Sequence, residues 1–137
     1  MLTWMDIVNR FIELTGAATY LEIGSGHHLG FDKIVCKNKE DIEPYPGPGV
    51  YPKYWMKSDD AFRIMGPRKY DVIFIDGLHE CDQLARDAHN SLQHINKNGF
   101  IFMHDCLPKE EINQQRVCPG AVSWTMCGQY LRFGAVA

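Results

Sequence analysis

Three short stretches carry the side chains that chemistry would need: Glu22-Ile23-Gly24-Ser25-Gly26, Asp76-Gly77-Leu78-His79 and His104-Asp105. Histidine titrates nearest to neutrality among ordinary side chains, so His79 or His104 could act as a general base. Glycines 24 and 26 lack a Cβ and would let backbone N–H groups come close to a ligand. Glu22 stands inside an apolar strand end, where burying an acid is costly unless a cation or hydrogen-bond donor meets it. Glu43 lies seventeen residues past Gly26, where an acid commonly accepts the ribose hydroxyls of an adenosine. The dinucleotide pattern G-x-G-x-x-G is broken, because position 29 is Leu29 and the next glycine is Gly30, which counts against NAD.

These groups share a position: each ends an apolar run. Tyr70 to Ile75 is rich in β-branched and aromatic residues and too short for a buried helix, as expected of a strand covered on both faces. Thr19 to Ile23 and Phe100 to Met103 behave alike, and a weaker strand closes on Asp41-Ile42-Glu43. In open α/β sheets ligands bind outside the carboxyl ends of strands, which is where Asp76, Gly77 and His79 fall. Between the strands, Thr3 and Asp6 frame a capping-box start for a helix ending at Gly16, and Phe31 to Cys36 is expected to form a helix of barely two turns. Pro44, Pro46, Pro48 and Pro52, with Gly47 and Gly49, mark a connector or lid. Tyr54 to Lys57 reads as a brief strand, and Ser58 as the N-cap of a helix running to about Met65. Cys81, Leu84, Ala85, Ala88, Leu92 and Ile95 recur at helical spacing with Arg86, Asp87, Asn90 and Gln93 outward, and Asn98-Gly99 is expected to end that helix.

The alternation of strand and helix predicts an α/β, Rossmann-like, doubly wound and mostly parallel sheet of about five strands. One domain is expected over 1–137: an N-terminal helix (1–16), a core (17–106) and a C-terminal segment (107–137) whose pattern weakens. With 137 residues, 45% of them hydrophobic, the chain can bury a sizeable core. A net charge of −3 provides no long-range field for nucleic acid or an anionic membrane. Five cysteines without a C-x-x-C pair suit reduced thiols and a cytoplasmic setting. No targeting segment or membrane span is legible. His27-His28 lacks zinc-ligand spacing and is expected to be ordinary polar surface near the site mouth.

Tyr20-Leu-Glu-Ile-Gly-Ser-Gly26, Met56-Lys-Ser-Asp59, Tyr70-Asp-Val-Ile-Phe-Ile-Asp-Gly-Leu-His79 and Gly99-Phe-Ile-Phe-Met-His-Asp105 together resemble class I S-adenosylmethionine-dependent methyltransferases. The likeness is greatest to a small bacterial and viral family whose fourth strand ends in Phe-Ile-Asp-Gly-x-His, and it covers about residues 18–107. It implies that Glu22 and Gly24-Ser25-Gly26 surround the methionine moiety of the cofactor and that Glu43 holds the ribose. Ser58 and Asp59 would border the adenine, and Asp76 would close the cofactor pocket. His79, His104 and Asp105 would face the acceptor, a small or sugar-like molecule with an oxygen or nitrogen nucleophile.

The implied reaction is an in-line displacement at the sulfonium methyl, with a His/Asp base for a hydroxyl acceptor. His79 is the preferred base, since it begins a loop and should be the more accessible histidine. Some relatives hold a divalent ion between carboxylates after the fourth and fifth strands, which would be Asp76 and Asp105. That is not favoured here, because Cys106 follows Asp105 where a third oxygen ligand is expected, and Mg²⁺ prefers oxygen. Domains of this class usually continue through further C-terminal strands that are shortened or missing in 107–137, so self-association over an open sheet edge is expected. The alternatives are a catalytically incomplete relative that keeps the adenosine pocket, and an NAD-dependent enzyme.

Overall fold

The apolar runs that close on polar residues are strands. In the computed structural model, which describes residues 1–106, they are β1 (Thr19–Ile23), β2 (Asn38–Ile42), β3 (Tyr70–Ile75) and β4 (Ile95–Met103). They form one sheet in the order β2-β1-β3-β4 with every pairing parallel. Three helices accompany it: α1 (Trp4–Thr15), α2 (Ser58–Ile64) and α3 (Cys81–His94). The Rossmann-like α/β class expected from the sequence is present, with four strands among the described residues. The expected C-terminal segment 107–137 and the edge it would leave open lie outside those residues.

Strand alternation sorts the side chains into two cores. Tyr20, Val72 and Phe74 pack with Val8 and Ile12 of α1 and with Phe31 and Ile34. Leu21, Ile23, Ile73 and Ile75 pack on the other face with Ala61, Phe62, Leu84 and Ala88 of α2 and α3. Coverage on both faces is why the β3 run carries no polar alternation. α1 begins with the expected capping box, Thr3 and Asp6 exchanging hydrogen bonds, and ends on Gly16 in the left-handed region.

The strand order makes the site. The chain leaves β1 toward β2 on one side and returns on the other side as β3, so the crossovers diverge between β1 and β3. A crevice opens at such a switch point, outside the carboxyl ends of the strands. The tips are joined tightly there: the Asp76 N–H donates to the Ile23 carbonyl at 2.8 Å, and the His104 N–H to the Ile75 carbonyl at 3.0 Å. Gly24 has φ +88, and a Cβ on it would lie 2.1 Å from the Asp76 carbonyl oxygen. That approach requires glycine.

Several local expectations are corrected. Instead of a helix over 31–36 there is one 3-10 turn, Phe31–Lys33. The Lys39 ammonium takes the carbonyls of Phe31, Asp32 and Ile34, and Asn9 holds the Lys33 carbonyl and the Val35 N–H, so these groups are diverted from a helical ladder. Tyr54–Lys57 is not a strand but a single parallel bridge between Tyr54 and Ile42. Pro52 has no N–H to extend the pairing, and the Lys53 N–H is held by the Asp41 side chain. Ser58 is the first residue of α2 rather than its cap, and Lys57 is the cap. α3 ends at His94, before Asn98-Gly99, because Ile95 already pairs with Tyr70. Asn98 takes its left-handed conformation inside β4, where the register shifts so that Val72 meets Phe100. Among the described residues no helix is long and apolar enough to cross a membrane.

Candidate functional site

A cavity of about 320 Å³ lies at the switch point, lined by Ile23, Gly24, Ile42, Glu43, Pro44, Tyr45, Lys57, Ser58, Asp76, Gly77, Leu78, Gln83 and Asp87. This is within the size range of small-molecule sites. Of the residues singled out from the sequence, Gly24, Glu43, Ser58, Asp76 and Gly77 line it. Its wall carries three carboxylates and one lysine.

The β1–β2 side of the crevice is a closed hydrogen-bond network. Glu43, 8% exposed, accepts the Gly26 N–H and the Tyr45 N–H, each at 2.8 Å. It therefore ties the glycine turn to the proline-rich segment. The Gly47 N–H donates to the Gly26 carbonyl, and a Cβ on Gly47 would collide with the His27 ring, so the expected connector or lid is an anchored wall. Asp41, 2% exposed, is the hub beneath: it accepts the Ser25 hydroxyl at 2.6 Å and the Lys53 N–H at 2.9 Å, and its Oδ2 lies 2.6 Å from His28 Nε2. The N–H groups of Gly24 and Gly26, which the sequence reading reserves for a ligand, are both engaged within the fold. His28 is not ordinary polar surface; its side chain is 14% exposed and its backbone is left-handed.

The β3–β4 side is arranged otherwise. His79 Nε2 lies 3.3 Å and His104 Nδ1 3.6 Å from the same oxygen of Asp76, and His104 Nδ1 is 3.1 Å from Asp105. None of the His104 Nδ1 contacts has the alignment of a hydrogen bond. Trp4 and Phe74 stack at 4.2 Å and flank the His104 ring. The two histidine side chains are 23% and 32% exposed, so accessibility does not favour His79 over His104 as the sequence reading expected. Asp76, His79 and Asp105 each offer a ligand atom within 4.8 Å of the others. The third donor missing beside Asp105 in the sequence is thus supplied across the strand tips, as nitrogen rather than oxygen. A mixed nitrogen and oxygen set suits a transition metal better than Mg²⁺.

Glu22 and Asp59 stand apart from the cavity wall. Glu22 turns to the α1 side, is 3% exposed and accepts the Tyr20 hydroxyl at 2.6 Å. Burial pushes its carboxyl up to about 7; the Tyr20 hydrogen bond opposes this, and the charges of Asp76 and Asp41 add to it. Its donor is a neighbouring side chain. Asp59 lies on the outer surface with its carboxylate 3.3 Å from Arg86. Ser25 and Gly26 sit one layer behind the wall, through Asp41 and Glu43.

Two groups were missed from the sequence. From the sequence Asp41 is only part of a strand end. Helical spacing puts Asp87 on the outward face of its helix, yet it is 1% exposed and borders the cavity. The buried face of α3 is Leu84, Asp87, Ala88 and Ser91, while Leu92 is 58% exposed. Asp87 is accommodated because Ser58 Oγ and Gln83 Nε2 donate to its Oδ1 at 2.5 and 3.0 Å. The one available signal was the spacing of Asp87 from Leu84 and Ser91, which a hydrophobicity pattern ignores.

Comparison with known proteins gives one match: the family model described as a methyltransferase domain covers residues 21–106, more than half of the chain. No curated protein and no solved structure matches.

Proposed function

Because the chain belongs to the methyltransferase-domain family, we propose that it transfers a methyl group from S-adenosylmethionine to an oxygen or nitrogen of a small-molecule or sugar-like acceptor. The observation that carries this reading is the cavity at the β1/β3 switch point with its acidic wall of Glu43, Asp76 and Asp87. A cationic sulfonium and ammonium, and the hydroxyl donors of a ribose, are all favoured by carboxylates, and Ile23, Ile42 and Leu78 provide apolar surface for a base. The residues present therefore fit this cofactor.

When bound, that cofactor supplies an already activated methyl group. Glu43 is the residue to hold the ribose, its two oxygens each retaining a free lone pair beside the backbone N–H they accept. Asp76 stands between cavity and histidines, lining the one and contacting the others. His79 and His104 are the groups to take a proton from a hydroxyl acceptor, and the anchored wall contributes orientation, which can lower a barrier by about 7 to 11 kcal/mol. In this reading turnover persists in a chelator. Its loss there would transfer the role of His79 to holding a metal with Asp76 and Asp105.

The test is a calorimetric titration of the full chain with S-adenosylhomocysteine and, separately, NADH. Saturable heat with the former and none with the latter is expected, with affinity lowered about tenfold by Glu43→Ala, the loss of a charged hydrogen bond. Absence of binding to S-adenosylhomocysteine would sink the reading. Binding without turnover on any acceptor of a hydroxyl and amine panel would leave the cofactor assignment and remove the transfer.

A further inference from the structure

Asp87 is the most deeply buried carboxylate on the cavity wall, and only half of it is used by the fold. Ser58 Oγ and Gln83 Nε2 both donate to Oδ1, and Gln83 Nε2 also reaches Ser58 Oγ at 3.1 Å, which closes a triangle on that oxygen. Among the described residues no hydrogen bond reaches Oδ2. That oxygen stands 3.5 Å from where a Cβ on Gly77 would sit, and both residues border the cavity. Oδ2 keeps access to the cavity: the buried side-chain polar atoms without a partner among the described residues are Ser91 Oγ and His104 Nδ1, and Oδ2 is not one of them. Burial raises the Asp87 carboxyl above its ordinary value, against the opposing hydrogen bonds of Ser58 and Gln83. A donor arriving with a ligand would relieve part of the cost of that burial.

We propose that Asp87 is a specificity-determining residue: its Oδ2 accepts the exocyclic amino group of the cofactor's purine, so that the cavity selects a 6-amino base over a 6-oxo base. This rests on the reading that the cavity takes an adenosyl cofactor. Such a cofactor has two amino donors, one on each end. The ammonium is a full charge and belongs with the more open Asp76, whose side chain is 28% exposed. Asp87 lies beneath Ser58 and Gln83 with the Ile23 side chain and Gly77 at hand. A neutral aromatic amine tolerates desolvation there, whereas an ammonium does not. Because the Ser58 and Gln83 donors fix which oxygen is used internally, the free oxygen has a defined direction.

The same fixed direction provides the test. In Asp87→Asn the two donors require the amide oxygen at the Oδ1 position, so the amide nitrogen replaces Oδ2 and an acceptor becomes a donor. Full-chain wild type and Asp87→Asn are titrated at pH 8 with S-adenosylhomocysteine, its 6-oxo analogue S-inosylhomocysteine, and the 6-hydrogen purine analogue. Wild type is expected to prefer the adenosyl compound at least tenfold over both others, since the 6-hydrogen analogue lacks the donor without adding bulk. In Asp87→Asn the ratio of adenosyl to inosyl affinity should fall at least tenfold. An unchanged ratio in a folded variant, or a wild type that binds all three compounds alike, overturns the proposal. The wild-type comparison decides the matter if the variant fails to fold. A wild type that binds no S-adenosylhomocysteine fails the functional reading itself, while binding without base discrimination fails this inference alone.

Discussion

The two sides of the crevice are built from the same strand tips but treat their polar groups in opposite ways. Between β1 and β2, Ser25, His28, Asp41 and Glu43 are partly or fully buried, at hydrogen-bond distance and mutually engaged. Between β3 and β4, His79, His104, Asp76 and Asp105 are partly exposed; His79 shares one hydrogen bond of 3.3 Å with Asp76, while His104 Nδ1 stands 3.1 Å from Asp105 and 3.6 Å from Asp76 without one. Networks with every member satisfied in a low dielectric hold a geometry, whereas half-open groups keep capacity for an incoming molecule. The first side is suited to shaping a pocket and the second to meeting what reacts there. The difference predicts that substitutions on the first side act on stability and binding together, and those on the second on rate.

The largest effect is expected at Asp41. Asp41→Ala removes the acceptor of Ser25, His28 and Lys53 from a site 2% exposed, and loss of about 4 kcal/mol is expected in a denaturant titration. A loss below about 1 kcal/mol would show that the hub is not structural. Next comes Gly24→Ala, whose Cβ would meet the Asp76 carbonyl oxygen at 2.1 Å from a residue with φ +88. It should cost about 3 kcal/mol and weaken S-adenosylhomocysteine binding, because it pushes the two sides apart.

Glu22 sharpens the contrast through pH. Its folded carboxyl is raised from 4.5 to about 7 by burial, so between those values the folded state holds a proton that the unfolded state has released. Stability from this group is therefore undiminished below pH 4.5, falls as pH rises, and is lowered by at most about 3 kcal/mol above 7. Glu22→Gln should flatten that slope and make the protein more stable at pH 8, read from unfolding midpoints across pH. An unchanged slope would mean that the group is already ionised when folded.

The smallest change in stability belongs to the open side. His79→Ala should alter it by less than about 1 kcal/mol, as expected for a partly exposed pair. It should lower turnover on a hydroxyl acceptor by about 10²-fold or more if the histidine takes the proton. Equal damage to stability by His79→Ala and Asp41→Ala would erase the distinction between the two sides.

Much of the fold was legible because its signals are local. The capping box at Thr3, the apolar runs of β1 and β3 and the polar residues at their ends can each be read within a few positions. The same holds for Gly24, Glu43, Ser58 and Asp76, all of which reach the cavity wall. The helix expected over 31–36 and the strand expected over 54–57 do not form, because distant groups, Lys39 and Asn9 in the first case and Asp41 in the second, take the backbone partners that local propensity assumes are free.

What the sequence by itself determined is the set of strand tips and the chemical character of their ends, since burial on both faces and a polar terminus follow from residue type. Tertiary structure alone decided which of those ends face each other and which polar groups are already occupied. Asp87 shows why: it meets Ser58 across 29 positions, and as one polar residue in a helix it looks identical whether it points to water or to a cavity. Only the packing of α3 beside α2 and the β3 tip removes the water, and that removal makes one oxygen structural and leaves the other available.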